Sequence, residues 1–313
     1  MLKEVISAFA GPAQARAAQR QAQARTKGLM TGLQTLATTT PPPSDDQESP
    51  IFLLSAGWRS GSTLLQRLIM SDRNVLIWGE PYDECGLIQH LAAANKAFRP
   101  GWPRADYFYD GTPIGQLSGY WVANLFPALE DWRRAHRALL DTLFAQPATL
   151  AGATRWGIKE VRLTAEHCHY LRWLYPNAKF IFLYRHPLDA YRSYCSFGRN
   201  WYDTYPDQPV FTPTAFGHHW RGLMDGFLAE HEKLGALLVR YEDLISDTAT
   251  VARVEAYLGI TIDHGILRRK VRNSGNVKDN PAEKRPEVKV SGLETWLLRR
   301  AVMPTAARLE YRF

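Results

Sequence analysis

Between residues 50 and 260, short apolar runs alternate with segments of helical periodicity, and this alternation restricts the fold more than any other feature of the sequence. The predicted strands are 51–56, 74–78, 155–159, 179–184 and 236–241. The predicted helices are 63–71, 166–175, 188–197, 214–234 and 248–258. Strands that alternate with helices are typical of a parallel sheet covered by helices on both faces. The sequence therefore predicts a three-layer α/β fold with ligands bound at the carboxyl ends of the strands.

The first 46 residues differ in composition from the rest of the chain. Residues 1–40 are rich in Ala, Gln, Thr and Arg, and residues 38–50 include three consecutive prolines. We interpret residues 1–46 as a loosely attached helical arm with a Pro-rich linker, and residues 47–313 as the folded domain. Because the arm contributes no motif, the first ~45 residues are predicted to be dispensable for catalysis.

The loop after the first predicted strand has the features of a phosphate-binding loop. Its sequence is Gly57-Trp58-Arg59-Ser60-Gly61-Ser62-Thr63-Leu64. Gly57 and Gly61 permit tight turns, and the helix that opens at Ser62 offers free N–H groups to an anion. Arg59 adds a positive charge. An ordinary glycine turn with a Ser or Thr cap would show the same pattern. The loop is not a Walker A motif, because Ser62 stands where that motif has lysine.

A second phosphate-binding pattern follows the fourth predicted strand. Arg185 leaves the end of this strand, and Ser193 lies two turns into the next helix, which begins near Pro187. The arginine can supply charge and the serine a hydroxyl donor to a second phosphate. The alternative interpretation is a surface arginine and an ordinary helix serine.

Together these motifs resemble those of the sulfotransferase superfamily. Residues 59–64 resemble its 5′-phosphosulfate loop, and Arg185 with Ser193 resembles its 3′-phosphate motif. Residues 239–244 resemble a third signature, in which the tyrosine, here Tyr241, lies near the adenine. The resemblance covers residues 50–262, and in detail the chain is similar to tyrosylprotein sulfotransferases and bacterial carbohydrate sulfotransferases. The cytosolic small-molecule enzymes differ, since they have lysine at the position of Arg59.

The resemblance implies the sulfotransferase fold, with a P-loop-like phosphate-binding loop, and a donor. That donor is 3′-phosphoadenosine 5′-phosphosulfate (PAPS), used without a metal and released as adenosine 3′,5′-bisphosphate. The residues implied to bind it are Arg59, Ser60, Gly61, Ser62, Thr63, Leu64, Arg185, Ser193 and Tyr241, with Ser274 and Lys278 in a late loop over the 3′-phosphate. Arg59 and Lys159 are the implied cations for charge that develops during transfer.

Glu80 is the candidate general base for the acceptor hydroxyl. It directly follows the second predicted strand, so it should face the same crevice as the loop. Its surroundings, Trp78-Gly79-Glu80-Pro81, are similar to the segment that holds the catalytic glutamate of tyrosylprotein sulfotransferases. The alternative interpretation is an exposed turn glutamate. In that case the candidate bases are His90, His136 and His186.

The positive charge of the chain bears on two alternative functions. The net charge is +7, and residues 265–300 hold ten Lys or Arg against four acids. Such a segment is either a solvated face or a surface for a polyanion. The alternatives are a P-loop-type nucleotide-dependent kinase, which the missing Walker lysine disfavours, and a basic nucleic-acid-binding protein, in which the phosphate motifs would have no role. The resemblance implies a hydroxyl-bearing acceptor (protein tyrosine, carbohydrate or small molecule) as the partner, and not a nucleic acid.

The cysteines and the hydropathy of the sequence bear on the cellular compartment of the protein. The three cysteines, Cys85, Cys168 and Cys195, are far apart and form no CxxC pair, which disfavours a disulfide framework or a zinc site. No apolar run approaches the roughly 18 residues needed to cross a bilayer, and the N-terminal residues lack a secretory pattern. A reducing compartment fits these features, and we expect a cytoplasmic protein.

Overall fold

The central sheet of the computed structural model has five parallel strands. They are β1 (Ile51–Ser55), β2 (Val75–Trp78), β3 (Arg155–Glu160), β4 (Lys179–Tyr184) and β5 (Leu237–Arg240). Their order is β2-β3-β1-β4-β5, and every neighbouring pair is parallel. The structure describes residues 28–40, 47–82, 85–196, 210–268 and 288–313.

Helices pack on both faces of this sheet, so the predicted three-layer α/β fold is confirmed. In the described part of the chain they are α1 (Leu29–Thr39), α2 (Ser62–Ile69), α3 (Leu87–Ala94), α4 (Leu129–Leu140), α5 (Gln146–Leu150), α6 (Ala165–Leu174), α7 (Pro187–Cys195), α8 (Pro213–Glu230), α9 (Tyr241–Ser246), α10 (Thr248–Leu258) and α11 (Gly292–Arg308). The alternation pattern did not predict α1, α3, α4, α5, α9 and α11.

The middle strand β1 shows why the sheet needs two layers of helices. All five of its residues are buried. Phe52 and Leu54 belong to one hydrophobic cluster, which includes residues of α6 and α8. Ile51 and Leu53 belong to a second cluster, on the α2 and α10 side. Because successive side chains of a strand point to opposite faces, a strand buried on both faces appears in sequence as a continuous apolar run.

The helix α1 differs from the loosely attached arm that the sequence predicted. Its residues Leu29, Leu33 and Leu36 are at most 5% exposed and belong to the larger core cluster. The helix packs against α6 and against the turn at Asn95–Ala97. These three leucines follow helical spacing and form one apolar face. The folded unit of the described residues therefore includes α1.

The strand register brings five connections to one edge of the sheet. Trp78 pairs with Ile158, and Tyr184 pairs with Arg240. Ser55 at the end of β1 pairs with Leu183, one residue before the end of β4. The carboxyl ends of all five strands thus lie along one edge of the sheet, which is where parallel α/β folds bind their ligands.

Candidate active site

Left-handed backbone geometry shapes the loop between β1 and α2. Gly57 has φ 80° and Gly61 has φ 90°, values that side chains other than glycine rarely adopt. Arg59 also lies in this region, with φ 65°, which costs free energy in a non-glycine residue. The buried Ser60 hydroxyl donates to the carbonyls of Ala56 (3.2 Å) and Gly57 (3.0 Å). The Ser60 hydroxyl therefore stabilises the loop internally.

Helix α2 begins directly after this loop. Ser62 is buried and Thr63 is exposed in its first turn, where backbone N–H groups lack acceptors within the helix. The Leu64 N–H differs, because it donates to the carbonyl of Gly61 at 3.0 Å. The Leu64 side chain packs against the second core cluster. The first turn can therefore offer an anion the N–H groups of Ser62 and Thr63.

Gly61 also allows Tyr241 to approach the loop. A Cβ atom on Gly61 would lie 2.2 Å from Cδ2 of the Tyr241 ring. The same ring lies under Arg185, whose guanidinium carbon is 4.5 Å from the ring centroid. The third sequence signature thus contacts both phosphate motifs.

The two predicted phosphate motifs contact each other directly. Arg59 Nε donates to Ser193 Oγ at 3.0 Å, and Arg185 Nη1 donates to the carbonyl of Arg59 at 3.2 Å. We call the following residues the donor cluster: Arg59, Gly61, Arg185, Ser193 and Tyr241. Two guanidinium groups beside a helix N-terminus can bind anionic groups with charge-assisted hydrogen bonds.

The turn that carries Arg185 is supported from residues 311 and 312. The N–H of His186 donates to Glu242 Oε1 at 2.8 Å, and the Tyr311 hydroxyl donates to Glu242 Oε2 at 2.9 Å. His186 Nε2 lies 2.8 Å from the carbonyl oxygen of Arg312. His186 is therefore part of the scaffold that positions Arg185.

A second group of charged residues gathers where β2 and β3 end. Lys159 Nζ lies 2.5 Å from Glu80 Oε1. Arg162 Nη2 lies 3.3 Å from Glu80 Oε2, and Arg162 Nε lies 3.3 Å from Glu160 Oε1. We call these four residues the base cluster: Glu80, Lys159, Glu160 and Arg162. Two acids and two bases balance formally, which allows the group to be buried.

Exposure differs within the base cluster. The Glu80 side chain is 21% exposed, whereas that of Arg162 is 1% exposed. Burial raises the pKa of Glu160, and the Arg162 guanidinium opposes this shift. Glu80 is therefore the carboxylate of the cluster that solvent or an acceptor can reach.

Sequence reasoning missed Glu160, Arg162 and a histidine behind the loop. His219 stacks on Trp58, with ring centroids 4.7 Å apart. Its Nε2 is buried without a hydrogen-bond partner among the described residues. Burial, and secondarily the charge of Arg162, lower the pKa of His219 to about 4. A closely spaced run of charges at the end of a buried strand was the available signal for Glu160 and Arg162; His219 had none.

The alternative bases have other surroundings. His90 is exposed on α3. His136 is buried, with Nδ1 2.9 Å from the Tyr170 hydroxyl, and burial lowers its pKa to about 4. Ser274 and Lys278, the candidates for the late 3′-phosphate loop, lie outside the described residues.

Comparison with known proteins defines the class of this fold and site. The model of the family described as "Sulfotransferase family" matches residues 50–264, more than half of the chain. The chain therefore belongs to the sulfotransferase family, whose members transfer sulfuryl groups. No curated protein sequence matches it.

Solved structures agree with this fold. The chain is similar to the sulfotransferase domain of the olefin synthase from Synechococcus PCC 7002, with 19% identity and a TM-score of 0.50 over 88% of this chain and 99% of that one. It is also similar to the sulfotransferase domain of the curacin biosynthetic pathway, with 17% identity and a TM-score of 0.50 over 86% of this chain and 100% of that one.

The described residues show neither a membrane-spanning helix nor a group of metal-binding side chains. Among the described helices, none combines the length and apolar character needed to span a bilayer. In the same part of the chain, no three His, Cys, Asp or Glu side chains are grouped so that they could hold a metal ion.

Proposed function

We propose that this protein transfers the sulfuryl group of PAPS to a hydroxyl acceptor, a protein tyrosine or a carbohydrate, with Glu80 as the general base. The observation that carries the proposal is the ion pair between Glu80 and Lys159 at the sheet edge that also holds the donor cluster. A proton acceptor and a phosphate-binding surface at one crevice are what hydroxyl sulfation requires.

The donor cluster fits a ligand with two phosphate positions. Arg59 and the first turn of α2 would hold the 5′-phosphosulfate, and Arg185 with Ser193 would hold the 3′-phosphate. The glycine at position 61 leaves room for the Tyr241 ring, which would lie near the adenine. When bound, PAPS supplies the sulfuryl group and leaves as adenosine 3′,5′-bisphosphate. The two arginines and the N–H groups provide positive charge on its side of the crevice.

The base cluster suits the acceptor side of the reaction. Glu80 would accept the proton of the acceptor hydroxyl, whose oxygen forms the new bond to sulfur while the donor's sulfur–oxygen bond breaks. Two cations hold the Glu80 carboxylate, one at each of its oxygens, before the acceptor binds. Lys159 can then follow the negative charge toward the leaving phosphate. A positioned base of this kind contributes roughly 10²–10⁴-fold to the rate.

Donor identity is tested by calorimetric titration without magnesium. Adenosine 3′,5′-bisphosphate should bind far more tightly than AMP, ATP or duplex DNA. Arg185→Ala should raise its Kd about 10- to 100-fold, because a charge-assisted contact worth roughly 1.5–3 kcal/mol is lost. Arg192→Ala, which removes an exposed arginine of the following helix α7 that pairs with Asp189, is the matched control. Equal affinity for AMP would contradict a 3′-phosphate site.

The role of Glu80 is tested by Glu80→Gln, which keeps the shape of the side chain and removes the base. We expect kcat to fall about 10²-fold or more while the donor Kd stays nearly unchanged. The acceptor is identified with sulfur-labelled PAPS and two panels, tyrosine peptides and oligosaccharides. Near-normal kcat of the Gln variant, with chemistry shown to limit the rate, would transfer the role to a histidine, and His90 would be tested first.

A further inference from the structure

Arg162 connects the candidate base to a buried carboxylate. Its guanidinium lies between Glu160 Oε1, 3.3 Å from Nε, and Glu80 Oε2, 3.3 Å from Nη2. The Arg162 side chain is 1% exposed, so an acceptor molecule has almost no access to it. Arg162 can therefore influence the reaction through its contact with Glu80.

The conformation of Arg162 is fixed from the side opposite to Glu80. β3 ends at Glu160, and the chain turns back over the Glu160 side chain. The carboxylate of Glu160 accepts hydrogen bonds from the N–H of Val161 at 2.7 Å and from the N–H of Arg162 at 3.2 Å. The same oxygen holds Arg162 Nε. Because the turn and the guanidinium share one acceptor, the direction of the Arg162 fork is set by the backbone.

Lys159 by itself does not fix the orientation of Glu80. Its ammonium contacts one carboxylate oxygen, and a compact cation on a flexible stem leaves the carboxylate free to rotate about that contact. Arg162 contacts the second oxygen. With both oxygens engaged, the plane of the carboxylate is defined.

We propose that Arg162, held by Glu160, is a positioning residue that orients the Glu80 carboxylate toward the acceptor hydroxyl. This inference rests on the proposed role of Glu80 as general base. A misplacement of about 1 Å in a reacting group can lower the rate about 10²-fold. A loss of orientation should therefore appear in kcat and leave donor binding unaffected.

Arg162→Lys is the direct test, since it keeps a cation beside Glu160 and removes the fork. Arg133→Lys is the matched control. Arg133 is also buried and donates two hydrogen bonds, to the carbonyls of Trp173 at 2.8 Å and Leu174 at 2.7 Å. We expect Arg162→Lys to lower kcat about 10- to 100-fold, with the donor Kd unchanged and a shift in Tm no larger than that of Arg133→Lys.

A double-mutant cycle with Glu80→Gln separates positioning from a general structural effect. If Arg162 acts through Glu80, Arg162→Lys should change kcat by less than about 3-fold in the Glu80→Gln background. An equal loss in both backgrounds, or normal kcat in the single Arg162→Lys variant, would overturn the inference while leaving Glu80 as the base. Normal kcat for Glu80→Gln alone would overturn the proposed base, and with it this inference.

Glu160→Gln provides a second route if Arg162→Lys does not fold. Its amide oxygen can still accept from the two backbone N–H groups, but the charge that holds the guanidinium is removed. We expect kcat to fall several-fold in this variant and the loss to disappear in the Glu80→Gln background. Unchanged kcat in folded Glu160→Gln would contradict the positioning role.

Discussion

The donor cluster and the base cluster lie at the same edge of the sheet, but different physical terms hold them in place. In the donor cluster the decisive features are backbone angles and close contacts, such as the positive φ of Gly61 and the ring of Tyr241 beside it. In the base cluster they are charges: Glu160 is buried with a raised pKa, and its neighbour Arg162 opposes that shift. Steric changes should therefore distort the geometry of the first cluster, and charge changes that of the second.

The two clusters also differ in how far their members lie apart in sequence. Glu160 and Arg162 are two positions apart and bind each other, while Glu80 reaches them from the neighbouring strand β2. Arg59 and Ser193 lie 134 positions apart in sequence, and they meet because β1 pairs with β4. Each cluster depends on the sheet, and so any change that loosens the packing of the sheet should reach both.

The largest effect is expected from deletion of residues 1–46. This deletion should unfold the domain, so that the donor cluster and the base cluster are both lost. The deletion takes away α1 and exposes the surface of α6 that its buried leucines cover. Substitution of one such leucine by alanine typically costs about 2–5 kcal/mol. We expect no cooperative thermal unfolding and neither donor binding nor turnover.

A shorter truncation that begins at Lys27 is the control, because it retains α1. It should match the full chain in Tm and in donor Kd. If the deletion of residues 1–46 also kept both quantities, the packing of α1 would have no energetic weight, and the sequence-based expectation of a dispensable arm would hold.

A smaller effect is expected from Gly61→Ala, which should damage the donor cluster alone. An alanine at φ 90° carries a penalty of roughly 1–2 kcal/mol, and its Cβ would overlap the Tyr241 ring. We expect the Kd for adenosine 3′,5′-bisphosphate to rise by about 100-fold or more, with a cooperative thermal transition retained. Calorimetric titration together with thermal unfolding measures both.

Gly57→Ala is the matched control for this change. Gly57 also has a positive φ, of 80°, but the nearest atom to its added Cβ, on His219, lies at 3.2 Å. Gly57→Ala should raise the Kd for adenosine 3′,5′-bisphosphate less than Gly61→Ala does. Equal losses would assign the effect to backbone strain and would remove the Tyr241 contact from the description of the donor cluster.

Each motif of the donor cluster is local in sequence, so its position at the edge of the sheet could be predicted, whereas its role in donor binding stays a prediction. Glycines at fixed spacing, followed by hydroxyl residues at a helix start, carry the geometry of the loop in one segment. Arg185 directly follows an apolar run, and this pattern predicts that it lies at the carboxyl edge of the sheet. Glu80 was placed by the same rule, since it directly follows a strand.

The remaining features depend on tertiary packing that no local pattern encodes. Simple strand alternation does not indicate that Glu160 folds back on its own turn, and so the bridge from Arg162 to Glu80 could not be predicted. The order β2-β3-β1-β4-β5 likewise depends on how the crossovers pack. For α1 the signal was present, because Leu29, Leu33 and Leu36 follow helical spacing, but the polar composition around them favoured a detached arm.

The smallest predicted effect is a decrease in the free energy of unfolding in mild acid. It originates partly near the donor loop, the loop between β1 and α2. His219, behind that loop, and His136, between α4 and α6, both have a pKa lowered to about 4, chiefly by burial. In the unfolded chain their pKa is near 6.5. The folded state therefore keeps them neutral where the unfolded state binds protons, so this stability is complete above pH 6.5 and declines as the pH falls toward 4.

Between pH 6.5 and 5 each histidine should remove about 1–2 kcal/mol of the free energy of unfolding. The carboxyl groups with a lowered pKa, such as Asp72 and Glu255, respond at more acidic pH and do not interfere in this window. His219→Phe keeps an aromatic ring against Trp58 and removes the titrating group. Its unfolding free energy, from urea titrations at pH 7.5, 6.5 and 5, should depend less on pH than that of the unmodified chain, whereas His90→Gln, at an exposed site, should leave the dependence unchanged. If His219→Phe kept the full pH dependence, the acid response would lie elsewhere, and His136→Gln would show whether the α4–α6 interface carries it.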